Sequence, residues 1–477
     1  MAFSAGTLWR VRTGGSSSNG GGFDPTVGSP GTNYTIQDAQ QITYTDMVID
    51  ATTNTKFTSA GNPVTSAHVG NVVNVTSGTG FTVQRVVIIS QSAGVATCDK
   101  SLGTLGSTGG NGRLGGAFAA PENASSVAIA GNTVYIEAGS YTKTTTRSIS
   151  CSGSAAAYIK WIGVLANEAS PSDSDLTEAS MPVFTSATNS NIIFTFTNAS
   201  YNYMRNIKVT HTAGTRGPGW ENAGSSVSSY CIWVNCICDG CNCGWDTGFN
   251  SDYFAHAAWI SCENRNSTLT VYGGWLQLAT PASTYLFYNC ISRNNAGDGF
   301  QLGNNNDFVT MIGCLAYSNG RDGVRQANTA TAGTLIIDRC TFNGNTGSGL
   351  HCLATTAQNR NRITNSIFSS NTRYGLEVDT ASVSAVWYQG NNALYNNTLG
   401  ARLNAPTGNG DITLSATPYT NSGSGDFSLN NTSGGGLDLK GTGLSSVVGS
   451  IGSTTSNFVD IGASQAQPPG VAFTFGS

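Results

Sequence analysis

The sequence predicts an all-β chain dominated by a solenoid, and three observations carry that expectation. Short apolar runs with strand-like character recur, such as QRVVIIS and TLIIDRC, and no long helical pattern accompanies them. Charged residues make up only 10% of the chain while glycine reaches 60 residues among abundant Asn, Ser and Thr, a composition of tight turns and polar strand edges. A period of 24–28 residues runs through the second half of the chain. Self-similarity at that spacing is the mark of a stacked repeat.

The period is read from NCICDGC, SCENRNS, NCISRNN, GCLAYSN, RCTFNGN, NSIFSSN and NNALYNN. Their second residues are Cys236, Cys262, Cys290, Cys314, Cys340, Ser366 and Asn392. Five residues further on stand Asn295, Asn319, Asn345, Asn371 and Asn397, in register. Each of the first four is followed by a glycine and an apolar residue: Gly299-Phe300, Gly323-Val324, Gly349-Leu350 and Gly375-Leu376. A leucine-rich repeat would show L-x-x-L-x-L with a helical segment, and these repeats do not. A parallel β-helix fits instead, with short strands per coil and equivalent residues stacked about 4.7–4.9 Å apart. An asparagine stack suits its turns, because Asn tolerates left-handed backbone and its amide can bond the next Asn.

On these repeats the chain resembles the right-handed parallel β-helix, or pectate-lyase-like, superfamily. SVAIAGNTVYIEAGSYT (126–142) is similar to the entry of such proteins, where the first coil follows a capping helix. SGDFSLNN and VDIGASQ, within 424–465, resemble the way many of them close. Residues 57–101 resemble a small all-β module that precedes β-helices in bacteriophage tailspike-like and other virion proteins. The resemblance spans roughly residues 35–465. It implies an architecture and leaves activity open, since this fold hosts lyases, hydrolases and non-enzymes.

In chain order the expectation is as follows. Residues 1–33, with GGSSSNGGG, are a flexible N-terminal anchoring arm. Residues 34–115 form the small β module, ending in glycine-rich STGGNGRLGG. Residues 116–440 build the β-helix, and 441–477, closing on QAQPPGVAFTF, are a cap or a partner contact.

Net charge is −4, so no basic surface points to nucleic acid. No apolar run approaches the roughly 18–20 residues that span a bilayer. The N-terminus lacks the apolar core of a secretory signal, which implies synthesis in the cytoplasm with thiols reduced.

Three sets of residues could carry chemistry. CICDGCNC packs Cys236, Cys238, Cys241 and Cys243 as C-x-C-x2-C-x-C. Cys236 sits at the repeat cysteine position and Cys241 at the ladder-asparagine position. Packing therefore explains two of the four before any metal or disulfide is invoked. Spacing of i, i+2 on strand-like backbone also spreads ligands along a ladder rather than around a zinc ion. No metal or other cofactor is expected.

Asp298 and Asp322 precede the repeat glycine one coil apart. Stacking would set their carboxyl groups about 5 Å apart, near the separation in retaining glycosidases. Arg321 and Arg325 lie beside them and could bind an acidic sugar. Asp-Gly is equally a common turn pair, and Ser348 and Tyr374 fill the same slot later. Asp239 and Glu263 form a weaker pair on neighbouring coils. The histidines, His351 among them, look scattered, and no dense carboxylate cluster stands out. Trp220, Trp245 and Trp275 could stack on a glycan, or fill the core or a subunit interface.

The combined expectation is a bacteriophage virion protein, displayed on the particle as a capsid decoration or tail-attached adhesin and non-catalytic. The resemblance implies a homotrimer, with the arm contacting other virion proteins and a host surface glycan as a further partner. The alternative is a tailspike depolymerase using Asp298 and Asp322. A bacterial adhesin is disfavoured by the missing export signal.

Overall fold

A computed structural model describes residues 3–27, 40–166, 168, 171–189, 191–212, 214–222, 227–249, 254–270, 273–278, 283–302, 308–327, 333–353, 360–381, 387–443 and 460–463. The chain is all-β and forms two compact units, residues up to 185 with 196–208, and 186–195 with 209 onward. The fold is a parallel β-helix with a small antiparallel barrel.

In the first unit the barrel closes through Gln40–Ile49, Lys56–Thr58, Val95–Cys98, Gln84–Ser92, Val72–Ser77 and Gly110–Gly115. Alternate residues such as Tyr44, Met47, Val73, Val75, Val86 and Ile88 point inward and form its core. The barrel interrupts a β-helix coil that has already begun. Leu8–Val11 pairs in parallel with Thr133–Glu137, which pairs in turn with Ile159–Val164.

That pairing corrects the expected flexible arm. Trp9 and Val11 are buried, and the Trp9 indole N–H donates to Asn132 Oδ1 at 2.9 Å. Arg10 meets Glu137 at 2.6 Å, both sealed from solvent. The glycines of GGSSSNGGG serve close approach here. A Cβ on Gly20 would lie 2.0 Å from the Val72 carbonyl oxygen, and Gly21 has φ +85°. An alternating apolar strand at the start of the chain has buried area to gain by joining a sheet, and it does so. Residues 28–33 of the expected arm lie outside the described residues.

The second unit stacks coils of three strands each. The first sheet includes Ile232–Val234, Ala257–Ile260, Thr284–Tyr288, Phe308–Ile312 and Thr334–Asp338. The second includes Ile237–Asp239, Glu263–Arg265, Ile291–Arg293, Leu315–Tyr317, Thr341–Asn343 and Ile367–Ser369. The third includes Trp220–Asn222, Trp245–Phe249, Trp275–Leu278, Phe300–Leu302, Val324–Gln326, Leu350–Cys352 and Tyr374–Val378. All pair in parallel, one coil to the next.

Two rows of left-handed residues make the corners. Asn235, Ser261, Asn289, Gly313, Arg339, Asn365 and Asn391 follow the first-sheet strands. Gly240, Asn266, Asn294, Ser318, Gly344, Ser370 and Asn396 follow the second-sheet strands. Asn, Gly and Ser fill all but one of these positions, as left-handed backbone favours.

The ladder asparagines come one residue later, so it is their predecessors that turn left-handed. Each ladder amide bonds the next coil: Asn319 Nδ2 donates to Asn345 Oδ1 at 2.9 Å and Asn345 Nδ2 to Asn371 Oδ1 at 3.0 Å. The repeat glycines follow from the same packing. A Cβ on Gly323 would meet the Gly349 carbonyl oxygen at 2.7 Å and the Asn345 amide at 3.0 Å.

Residues 411–443 with 460–463 fold back over the outer face of the second sheet. Leu414, Tyr419, Phe427, Leu439 and Ile461 bury Leu315, Ile367 and Ala393. Of the segment 441–477, expected to be a cap, residues 444–459 and 464–477 lie outside the described residues.

Candidate functional site

Aromatic residues form the interior of the second unit. Trp220, Trp245 and Trp275 are at most 1% exposed. Their rings stack in one row, with Trp245 to Trp275 at 4.9 Å and 2° between planes, continuing to Phe300 at 4.7 Å. This corrects the glycan-binding expectation for all three: the pleat points them inward, where a sugar cannot reach. Trp233, Trp259 and Phe287 make a second such row on the first sheet.

The cysteines are interior too. Cys236, Cys262, Cys290, Cys314 and Cys340 are buried in their repeat row. Cys238, Cys241 and Cys243 are buried beside it, all as free thiols. Desolvation holds the Cys238, Cys262, Cys314 and Cys340 thiols far above their ordinary range, so they are protonated and inert. Asp239 and Glu263 are bridged to each other by Arg265, with Arg293 on Glu263 at 2.6 Å, a closed ion network on the second sheet.

Charge gathers on the outer face of the third sheet. The residue after each inward anchor points outward, and register aligns Gln301, Arg325, His351 and Glu377 in one row. The corner row beside it holds Asp298, Asp322 and Ser348. Both rows meet at His351. Its Nδ1 lies 3.0 Å from Asp322 Oδ2, and its Nε2 lies 2.9 Å from Asp379 and 3.7 Å from Glu377. Arg325 stands 3.6 Å from Asp322, and Arg321 stands 3.8 Å from Asp298. Arg373 and Ser348 both bond the Glu377 carboxylate.

Depth sorts these groups. Asp298, Asp322 and Glu377 are at most 5% exposed at the side chain, whereas Arg321, Arg373 and Asp379 keep 32%, 48% and 46%. The site is a bed of buried carboxylates under a rim of guanidinium groups.

Burial pushes the Asp298 carboxyl up to about 6, reinforced by the charge of Asp322 and opposed by Arg321 and Arg325. Its Oδ2 is buried without a hydrogen-bond partner. Burial opposes charge on His351, but the hydrogen bond and charge of Asp322, with Asp379 and Glu377, outweigh it and raise its pKa. Carboxylates on both sides of an imidazole favour its charged form.

His351, Glu377 and Asp379 place ligand-capable atoms within 4.8 Å of one another. Arg373 already pairs with Glu377 and Ser348 donates to it, so an ion would have to displace Arg373.

The structure thus gathers Asp298, Asp322, Arg321 and Arg325, as expected from spacing, and adds His351, Glu377, Asp379 and Arg373. His351 is central rather than scattered, and the carboxylates do cluster. The signal was present in the sequence: the residue after each Gly-apolar pair is Gln301, Arg325, His351 and Glu377.

No known family profile matches this sequence, and no curated protein is similar to it. Among solved structures, a pectate lyase, Pel9A, superposes with a TM-score of 0.51 at 16% identity, covering 73% of this chain and 91% of that one. A rhamnogalacturonan lyase reaches a TM-score of 0.46 at 14% identity, covering 64% of this chain and 86% of that one. The likeness is one of fold.

Proposed function

We propose that the protein is a β-helix shaft displayed on a virion, binding an acidic host-surface glycan through Arg321, Arg325 and Arg373. One observation carries the glycan reading: on a chain with only 10% charged residues, guanidinium groups line a single face, each facing a buried carboxylate within 4 Å. Planar guanidinium groups match carboxylate and phosphate oxygens in pairs, and holding them in place beforehand lowers the entropic cost of binding. The virion reading is supported by the resemblance of residues 57–101 to virion modules and by the barrel to which they contribute. With it comes the expectation of a homotrimer, to be measured by light scattering.

Cleavage is the second reading. It is favoured by a carboxyl with a pKa of about 6 one coil from Asp322, the pairing an acid and a nucleophile or base require. Asp298 is fully buried, and that ranks cleavage second.

The test incubates purified protein with acidic and neutral polysaccharides, following retention, reducing ends and the ultraviolet absorbance of unsaturated sugars. Retention on acidic polymers that is lost in Arg325→Ala with Arg373→Ala, without products, supports binding. Products that vanish in Asp298→Asn would establish cleavage instead. No retention on any acidic polymer would end the glycan reading, and immunolabelling of purified particles tests the virion reading separately.

A further inference from the structure

The corner between the second and third sheets has a gap in an otherwise regular row. The residue after each ladder position donates its backbone N–H to the ladder carbonyl one coil back, which makes Thr268, Ala296, Gly320, Thr346, Thr372 and Thr398 equivalent. The two that are not threonine, Ala296 and Gly320, lie on adjacent coils between Thr268 and Thr346. Removing two side chains from a stacked row opens a trough three coil steps long, about 14 Å from wall to wall. A cavity of about 630 Å³ occupies it. Volumes of roughly 300–1,000 Å³ suit small ligands.

The lining states what would fit. No residue of it is charged. Asn294 and Ser318 stand on the left-handed row beside the gap, and Gly344 continues that row with open space where a Cβ would be. Among the described residues, the side chains of Thr268, Asn294, Ser318 and Thr346 make no hydrogen bond. Asn266, earlier in the same left-handed row, is by contrast engaged by Asp239 at 2.8 Å. Hydroxyl and amide groups both donate and accept, as the hydroxyls of a sugar do. A peptide would want an apolar groove or an open strand edge, and a corner of stacked parallel coils offers neither.

The gap also adjoins the charged face. Gly320 floors it and Arg321 is the next residue, so a polymer whose acidic sugar meets Arg321 has a neighbouring sugar over the gap. We infer that the trough at Ala296 and Gly320 is a subsite for an uncharged sugar beside the acidic one. The inference rests on the glycan reading above and narrows it to polymers in which charged and neutral sugars alternate.

Calorimetry on the full chain tests this with hyaluronan, whose charged and neutral sugars alternate, and polygalacturonate, whose sugars are all charged. The variant is Ala296→Thr with Gly344→Asn, which fills the gap with residues that the same rows carry in other coils. Gly320 is left in place, because a Cβ there would meet the Ala296 carbonyl oxygen at 2.3 Å. The parent is expected to bind hyaluronan at least about tenfold more tightly than polygalacturonate. The variant should lose that preference while keeping its thermal midpoint and its binding to polygalacturonate. Unchanged hyaluronan binding in the folded variant, or no preference in the parent, would overturn the subsite and leave the glycan reading standing. If no acidic polymer binds the parent, the glycan reading and the subsite fall together. Should the double variant not fold, Thr346→Ala takes its place, removing one wall hydroxyl, and should weaken hyaluronan binding alone.

Discussion

Two ladders climb the same corner of the β-helix only three residues apart, and they treat their backbone alike. In the first, Asn319 N–H donates to Asn345 Oδ1 and Asn345 N–H to Asn371 Oδ1, both at 3.1 Å. In the second, Asp322 N–H donates to Asp298 Oδ1 at 3.0 Å and Ser348 N–H to Asp322 Oδ1 at 2.7 Å. Each rung needs one acceptor per coil. An amide supplies it, and its own N–H groups go on to the next amide and a strand carbonyl, so nothing is left over. A carboxylate supplies it too but leaves a second oxygen and a charge in a buried place. That surplus costs stability unless a cation answers it. In the second ladder the surplus is what draws His351, Arg321 and Arg325 onto one face. Where the repeat needs only support it uses Asn; where it places charge, the charge organises a surface.

Four substitutions would break or sharpen this comparison. Trp245→Ala removes an interior ring from the stack and should cost about 3–5 kcal/mol, seen as a large fall in thermal midpoint. Glycan retention in the protein that stays folded should be unchanged, which separates the interior rows from the charged face.

Asn345→Leu strands Asn319 N–H and its amide and takes the side-chain donor from the Ala316 carbonyl, while Asn371 Oδ1 keeps the backbone N–H of residue 345. A loss of about 3 kcal/mol is expected, with faster hydrogen exchange on the neighbouring coils. A loss well under 1 kcal/mol would mean the amide ladder is not what holds this corner.

Asp298→Asn keeps the acceptor for Asp322 N–H and removes the titration. The folded pKa of Asp298, about 6, lies above its ordinary value of 3.8, so the native state binds the proton more tightly. Its contribution is fully present below 3.8 and is lost as pH rises through about 6. The variant should therefore match the parent near pH 4 and exceed it at pH 8, by on the order of 2–3 kcal/mol. Equal stability of the two proteins across that range would show that the carboxyl is not strained.

Asp322→Asn keeps the bond to Ser348 N–H but removes the charge that faces His351 and Arg325. Stability should fall by about 1 kcal/mol, and the His351 pKa, read by NMR, should drop. Because the pKa of His351 is raised in the parent, its stabilising share is present at acid pH and fades as pH climbs past it. The variant should show a shallower slope, since Asp379 and Glu377 still face the imidazole, and glycan retention should weaken about tenfold as Arg325 is freed.

Much of the fold was legible because stacking converts distance in sequence into distance in space at a fixed exchange. Cys236 to Asn392, the ladder asparagines and the Gly-apolar pairs all report the same step of 24–28 residues. The site was legible in part. Asp298 and Asp322 drew notice as Asp-Gly pairs, and their Arg neighbours with them. His351 and Glu377 belong to a row whose members differ in every coil, so no residue type repeats there; only register finds them.

By itself, the sequence determined the solenoid, its step and the interior ladders, since each residue there answers to its equivalent one coil away. Tertiary structure decided what lies on which side of the sheet and which distant segments meet. The tryptophans face inward because alternation about Trp233 and Trp245 is fixed by strand ends that composition does not reveal. Leu8–Val11 pairs with Thr133–Glu137, and Ala463 reaches Thr341. These contacts lie outside the period and depend on which apolar surface the folded coils leave open. The pKa values of Asp298 and His351 were likewise decided by burial and by charges brought from other coils, which exist only once the stack has formed.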